Sequence, residues 1–202
     1  MKIALVGATG NVGTRILDEL VRRGHRVTAI ARHPEKLAGR DGVTTKAVDA
    51  DVVTELSDAL KGHEAVVSSL RFHGTDPQKL IKAVKASGVK RYLVVGGAGS
   101  LHVAPDVLLI DTPEFPDAYK AEARAGTDFL DMLRGEKDLD WTFLSPSALF
   151  VAGERTGEFR LGKDDLLVGT GGSSISYEDY AVALVDEIEK PAHSRQRFTV
   201  GY

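Results

Sequence analysis

Glycines stand at positions 7, 10 and 13, inside the run Gly7-Ala8-Thr9-Gly10-Asn11-Val12-Gly13. Glycine lets a backbone turn tightly and lets its N–H approach an anion closely. Gly7 would allow the tight turn, and Gly10 would let the chain approach a pyrophosphate. Gly13 would let a following helix pack closely on a sheet. The amides of residues 10–12 would then meet the phosphates from a helix N-terminus, whose partial positive charge favours anions. The alternative is a glycine turn with no ligand. The context favours a nucleotide: an apolar strand, Lys2 to Val6, precedes the run, and a helical pattern, Asn11 to Gly24, follows it.

A second position bears on which dinucleotide. An acidic residue about 20 positions after the glycines would bind a ribose 2′-hydroxyl. Here Arg32 lies nineteen residues after Gly13, and no acid occurs between residues 20 and 34. A guanidinium there can pair bidentately with a 2′-phosphate and stack on adenine. NADP(H) is therefore the expected cofactor, with NAD(H) second. The alternative is a solvent-facing arginine at a strand end. His33 and Arg40 could assist. Asp49 is placed to accept from the adenine amino group or, equally, to cap a turn.

The elements that must hold these residues alternate from the start of the chain. In the first helical stretch Val12, Ile16, Leu17, Leu20 and Val21 share one face; Arg15, Asp18, Glu19, Arg22 and Arg23 take the other. Gly24 suits its C-terminal end. Further strands are read at 26–31, 43–48, 65–68, 90–95 and 141–144, with a short helix within 51–61. Asp76-Pro77 is an N-cap and first-turn pair, opening a helix that buries Leu80, Ile81 and Val84 and stops at Gly88. Residues 97–117 read as a long connection, a length that is usually functional or mobile. A helix over 117–134 follows, expected to bury Ala118, Ala121, Ala125, Phe129, Leu130 and Leu133. Residues 158–161 and 166–168 suggest a small hairpin, and 169–174 a loop. A last helix begins at Glu178-Asp179, and a terminal strand covers 197–200. Such alternation implies right-handed crossovers and a Rossmann-type, doubly wound parallel sheet with helices on both faces. Residues 1–202 then form one NAD(P)-binding domain. Segments 97–118 and 145–175 should build the substrate side, at the carboxyl ends of the strands.

Composition excludes several classes. The 202 residues are 43% hydrophobic and 27% charged, which suits a globular chain and not a disordered one. With 26 basic and 29 acidic residues, the net charge of −3 gives no footprint for nucleic acid. No cysteine is present, so no thiolate site or disulfide can form. The six histidines show no paired ligand spacing, so no metal is expected. Neither a signal-peptide core nor a membrane span is seen, and a cytoplasmic protein is expected. No large exposed apolar stripe is evident, which points to a monomer or weak homodimer. No nucleophile elbow or phosphate-loop lysine occurs, which removes hydrolase and kinase readings.

The glycine spacing, G-x-x-G-x-x-G, resembles that of the short-chain dehydrogenase/reductase superfamily. Further motifs extend the resemblance over nearly the whole chain. They are Ala31-Arg32-His33-Pro34-Glu35-Lys36, Val48-Asp49-Ala50, residues 65–70, residues 88–100, residues 140–147 and Tyr177-Glu178-Asp179-Tyr180-Ala181. Together they resemble the NmrA-like, atypical branch. Within it they are most similar to proposed NADH-flavin reductases, and more distantly to biliverdin reductase B. The resemblance implies that the backbone of Ser68, Ser69 and Leu70 lies near the nicotinamide ribose. It also puts Gly96, Gly97 and the stretch to Ser100, with residues 144–147, around the nicotinamide and substrate.

The chain departs from that superfamily's usual proton-transfer pair, Tyr-x-x-x-Lys. Tyr92, Tyr119, Tyr177 and Tyr180 are followed four residues on by Gly96, Ala123, Ala181 and Leu184. The serine expected after the fifth strand is replaced by Gly96. The remaining candidates are Lys120, where some NmrA-like reductases carry a catalytic lysine, Tyr119 at the site opening, and Ser100. Lys120 shares a polar stripe with Arg124, Asp128 and Asp131, which also suits a solvated charge. Three functions follow. The first is an NAD(P)H-dependent reductase that passes hydride to a flavin or similar conjugated small-molecule acceptor, the flavin being a substrate and not a prosthetic group. The second is a non-catalytic NADP(H)-binding sensor. The third is a reductase or isomerase of a carbonyl substrate that uses Lys120.

Overall fold

A computed structural model describes all 202 residues. The chain runs β1 (Lys2–Val6), α1 (Asn11–Arg22), β2 (Arg26–Ala31), β3 (Val43–Ala47), α2 (Val53–Leu60), β4 (Ala65–Ser68), α3 (Pro77–Ser87) and β5 (Arg91–Val95). It continues through β6 (His102–Ala104), β7 (Val107–Leu108), α4 (Asp117–Arg134), β8 (Asp140–Pro146), β9 (Leu149–Val151), β10 (Arg160–Gly162), β11 (Ser174–Ser176), α5 (Tyr177–Glu189) and β12 (Gln196–Gly201).

Eight strands form one sheet in the order β10-β12-β8-β5-β4-β1-β2-β3. Every neighbouring pair is parallel except β10 against β12. The inner strands β4 and β5 are buried along their whole length, as a sheet covered on both faces requires. Side chains alternate between two cores. Ile3 and Leu5 of β1 face α1 and α5, among Ile16, Leu20, Leu184 and Ile188. Ala4 and Val6 face α2, α3 and α4, among Leu60, Leu80, Val84 and Leu130. Strand order reverses at β1, which has β2 on one side and β4 on the other. The chain therefore leaves β1 and β4 towards opposite faces of the sheet, and a crevice opens at the carboxyl edge there.

The helix starts are not alike. At α3, Asp76 accepts from the N–H groups of Gln78 at 2.9 Å and Lys79 at 3.4 Å, with Pro77 first in the helix. At α5, Ser176 accepts from the N–H of Asp179 at 2.9 Å. Helix α1 starts at Gly10 with no side-chain cap and no acid in its first turn. Its leading amides are thus left for something outside the helix.

Four expectations need correction. Residues 97–117 are not an irregular connection. Strands β6 and β7 pair antiparallel there, and a single 3₁₀ turn spans Leu109–Asp111. These pieces are too short to show a period. The hairpin of 158–161 with 166–168 does not form. Instead β10 pairs with β12, with Arg160 opposite Gly201, because the open edge of the terminal strand offers a longer partner. In α4, Ala118 and Ala121 are exposed, and Ala125 is half-buried. The buried positions are Gly126, Phe129, Leu130 and Leu133, since the first turns of α4 overhang a cavity and not the sheet. Finally, Glu19 is not on the solvent face: it is 3% exposed.

Glu19 is buried by an arginine from far along the chain. Arg155, after β9, donates to its carboxylate from Nε at 2.7 Å and from Nη2 at 2.8 Å. Arg23 adds a bond at 2.8 Å. The Arg155 guanidinium, ahead of Arg23, holds the Glu19 carboxyl down at about 2, against the opposing effect of burial.

Candidate functional site

Two of the three glycines are fixed by the protein itself. Gly7 has φ 83°, and a Cβ there would lie 2.2 Å from the carbonyl oxygen of Ser69. A Cβ on Gly13 would lie 2.1 Å from the carbonyl oxygen of Gly7. The first contact sets the loop after β1 against the loop after β4, and the second packs the start of α1 on the turn at Gly7. Gly10 is different: the nearest atom to its Cβ would be the Gly7 oxygen at 3.4 Å, an ordinary contact. Nothing inside the protein requires glycine at position 10. Its bare backbone faces the crevice, at the uncapped start of α1.

The crevice there is a groove of about 370 Å³. It gathers Gly7, Thr9, Gly10, Arg32, Asp49, Ser69 and Leu70 from four separate loops. Ala8 and Gly13 are buried beneath it, Val12 is half-buried, and Asn11 is exposed beside it. Arg32 is exposed and forms no ion pair or hydrogen bond within the protein. Arg40 is occupied elsewhere, 2.5 Å from Asp18. Asp49 accepts from the N–H of Asp51 at 3.0 Å, so its carboxylate shapes the turn while lining the groove. Ser68 is 3% exposed and its hydroxyl pairs with that of Tyr92 at 2.9 Å, so only its neighbours reach the groove. Arg71 and His73 also line it, and sequence reasoning missed both. They continue directly from Ser69-Leu70, so following that motif by three more residues would have found them.

A second, larger cavity of about 640 Å³ opens beyond the end of β5. Phe72, Phe115, Pro146 and Phe150 give it apolar walls; Gly96, Gly97 and Gly99 give it a bare backbone floor. The loop of residues 69–75 divides the two spaces and contributes to both. That loop is held firmly. The Glu122 carboxylate accepts from the N–H of Phe72 at 2.7 Å and of His73 at 2.8 Å. Phe72 stacks on Phe143 with ring centres 6.0 Å apart, and meets Phe129 edge-on at 5.9 Å. Glycine at 96 is forced, since a Cβ would lie 2.4 Å from the Phe143 ring. Gly97 is not: its Cβ would meet only Phe72, at 3.6 Å.

The cavity holds few groups that could move a proton. No lysine, arginine or histidine lines it. Tyr180 lies under its floor, donating to the Leu144 carbonyl at 2.6 Å and accepting from the Gly96 N–H at 3.3 Å. Burial pushes that hydroxyl far above its ordinary value, so it pins β8 to the loop after β5 and stays protonated. Ser100 lines the cavity but is 7% exposed, and its hydroxyl accepts from Arg197 at 3.3 Å. Tyr119, 63% exposed, stands at the rim. Lys120 points elsewhere: its ammonium lies 2.7 Å from Asp117, over a separate depression shared with Arg124. Its stripe-mates Arg124, Asp128 and Asp131 are exposed, as the helical spacing predicted.

A bare glycine at an uncapped helix start is a usual seat for a dinucleotide's pyrophosphate, and it lies at the strand-order reversal where such ligands bind. Known proteins agree. A Burkholderia pseudomallei structure described as a proposed exported protein is 46% identical, covers both chains fully and has a TM-score of 0.91. A proposed epimerase from Bacteroides thetaiotaomicron is 43% identical over 100% of this chain and 96% of that one, with a TM-score of 0.95. A proposed NADH-flavin reductase from Streptococcus pneumoniae is 38% identical over 100% and 99%, with a TM-score of 0.84. Their names differ on the reaction while their folds coincide. The family model described as NAD(P)H-binding matches residues 7–191 of this sequence, and the chain belongs to that family.

Proposed function

We propose that this protein is a reductase that uses NADPH to reduce a planar conjugated acceptor such as a flavin, taken up as a substrate. The observation that carries the reading is the pairing of the two spaces. A polar groove with free cationic groups and an apolar, ring-lined cavity share the wall 69–75. In the groove, the α1 amides and Gly10 would hold the pyrophosphate. Arg32 would hold the 2′-phosphate, with Asp49 at the adenine. The bound dinucleotide supplies a hydride. Ser69 and Leu70 would set the nicotinamide ribose at the dividing wall. Gly96 and Gly97 would let two rings lie within reach of each other, which is the main demand of such a transfer.

Hydride transfer to a flavin suits a cavity without a lysine, histidine or arginine, since the accompanying proton can come from water. The carbonyl reading through Lys120 loses support from its pairing with Asp117 on the far side of α4. The test is steady-state oxidation of NADPH and NADH with riboflavin, FMN and FAD as separate acceptors. NADPH-dependent flavin reduction is expected. No turnover with any flavin, alongside measured NADPH binding, would overturn the reading in favour of a dinucleotide sensor.

No helix is long and apolar enough to cross a membrane. A cytoplasmic location remains our proposal on the sequence grounds above.

A further inference from the structure

We infer that the cavity selects uncharged acceptors and discriminates against those that carry a phosphate. This rests on the reading of the cavity as the acceptor site. Its lining includes two carboxylates, Glu114 and Glu122, and no cationic side chain. Glu122 is fixed in place by two backbone amides, at 2.7 and 2.8 Å, and cannot swing away. Glu114 is exposed on the segment that leads into α4.

The nearest cations do not offset this charge. Arg197 reaches the lining residue Ser100 from beneath, at 3.3 Å, but it is buried and already paired with Asp164 at 2.7 Å. Lys120 is held 2.7 Å from Asp117, and Arg124 3.3 Å from Asp111, both beside the depression on the opposite side of α4. The start of α4 lies beside Pro116 at the cavity, but Asp117 already puts a negative charge in its first turn. Arg32 and Arg71 line the groove, where the phosphates of the dinucleotide would claim them. A phosphate monoester carries a charge of about −1.5 to −2 at neutral pH. Next to two carboxylates and low-dielectric walls, it meets repulsion without a partner. Riboflavin and FMN share one ring system and differ by that phosphate, so they isolate the effect.

Equilibrium binding of riboflavin and of FMN to the NADP⁺-saturated protein, read by quenching of flavin fluorescence, tests the inference apart from turnover. Riboflavin should bind about tenfold more tightly than FMN at low salt. Glu114→Lys should shrink that ratio to about threefold or less. Equal or tighter binding of FMN overturns the inference. Binding of neither flavin overturns it too, and an unchanged ratio in Glu114→Lys removes its electrostatic basis. The turnover assay decides the reductase reading separately. Selective binding without turnover would leave the selectivity standing and the reductase reading fallen.

Discussion

The groove and the cavity share a wall, but they are built in opposite ways. The groove is made of short loops, each leaving the carboxyl end of a neighbouring strand: 7–10 after β1, 31–32 after β2, 48–51 after β3 and 69–75 after β4. Its key groups are backbone amides and the guanidinium groups of Arg32 and Arg71, so a local run of sequence suffices to specify each part. The cavity draws on residue 72, on 96–100, on 109–127, on 146–150 and on 173. Its walls are side chains brought together by packing. Each part of the groove can be written in one short stretch of sequence, whereas an apolar cavity has to be assembled by packing. The segment after β9 links the two halves, because Arg155 reaches across to Glu19 of α1.

The largest expected effect separates structural from ligand-facing glycines. Gly13→Ala should cost about 3 kcal/mol or more, because its Cβ would lie 2.1 Å from a backbone oxygen that cannot yield easily. Urea denaturation measures it. Gly10→Ala should leave stability within about 1 kcal/mol yet weaken NADPH binding at least about tenfold. If both variants lost stability alike, position 10 would have no special tie to a ligand.

The link between the halves should be next. Glu19→Gln should lower stability by about 2 kcal/mol at pH 7, since it leaves Arg22, Arg23 and Arg155 without their shared carboxylate. The sign with pH follows from its lowered value of about 2 in the folded state, against 4.5 ordinarily. The ion-paired form stabilises the fold fully above about pH 4.5, and that contribution is lost as pH falls towards 2. Denaturation of both proteins at pH 7 and pH 3 should therefore show the gap narrowing in acid. A gap that widened in acid would refute the assignment.

Within the groove, Arg32→Glu should weaken NADPH by about thirtyfold and NADH by less than about threefold, because only the former offers a 2′-phosphate. Titration of both nucleotides checks this, and equal losses would remove Arg32 from the 2′ site. The smallest effect is expected in the cavity. Gly97→Ala has room for its methyl, 3.6 Å from Phe72, and should raise the KM for a flavin about fivefold with stability unchanged. An unchanged KM would mean that no ring lies over that floor.

Most of the sheet was legible because each strand and helix carries its own signal. The caps at Asp76 and the stop at Gly88 are single-residue instructions, and the structure follows both. The elements that were misread are those whose form depends on distant partners. The strand around 160 is legible, but its partner is the open edge of β12 and not residues 166–168. β6 and β7 are too brief to show alternation. Ala118 and Ala121 lie on the inward stripe of α4 by period, yet both are exposed, because the first turns of the helix lie beyond the sheet. Glu19 reads as a surface acid until Arg155, remote in sequence, covers it.

By itself, the sequence determined the succession of the longer strands and helices, the glycine turn and the arginine at the end of β2. All of these depend on residues within a few positions of one another, where backbone geometry and hydrophobic period act directly. Only the tertiary structure decided which glycines are forced, which side of α4 Lys120 occupies and that Glu122 fastens the dividing wall. It also decided that Tyr180 is a buried pin, and that the cavity beyond β5 has two carboxylates and no cation in its lining. Those outcomes depend on distances between segments far apart in the chain, and the packing of the two cores against one sheet sets such distances.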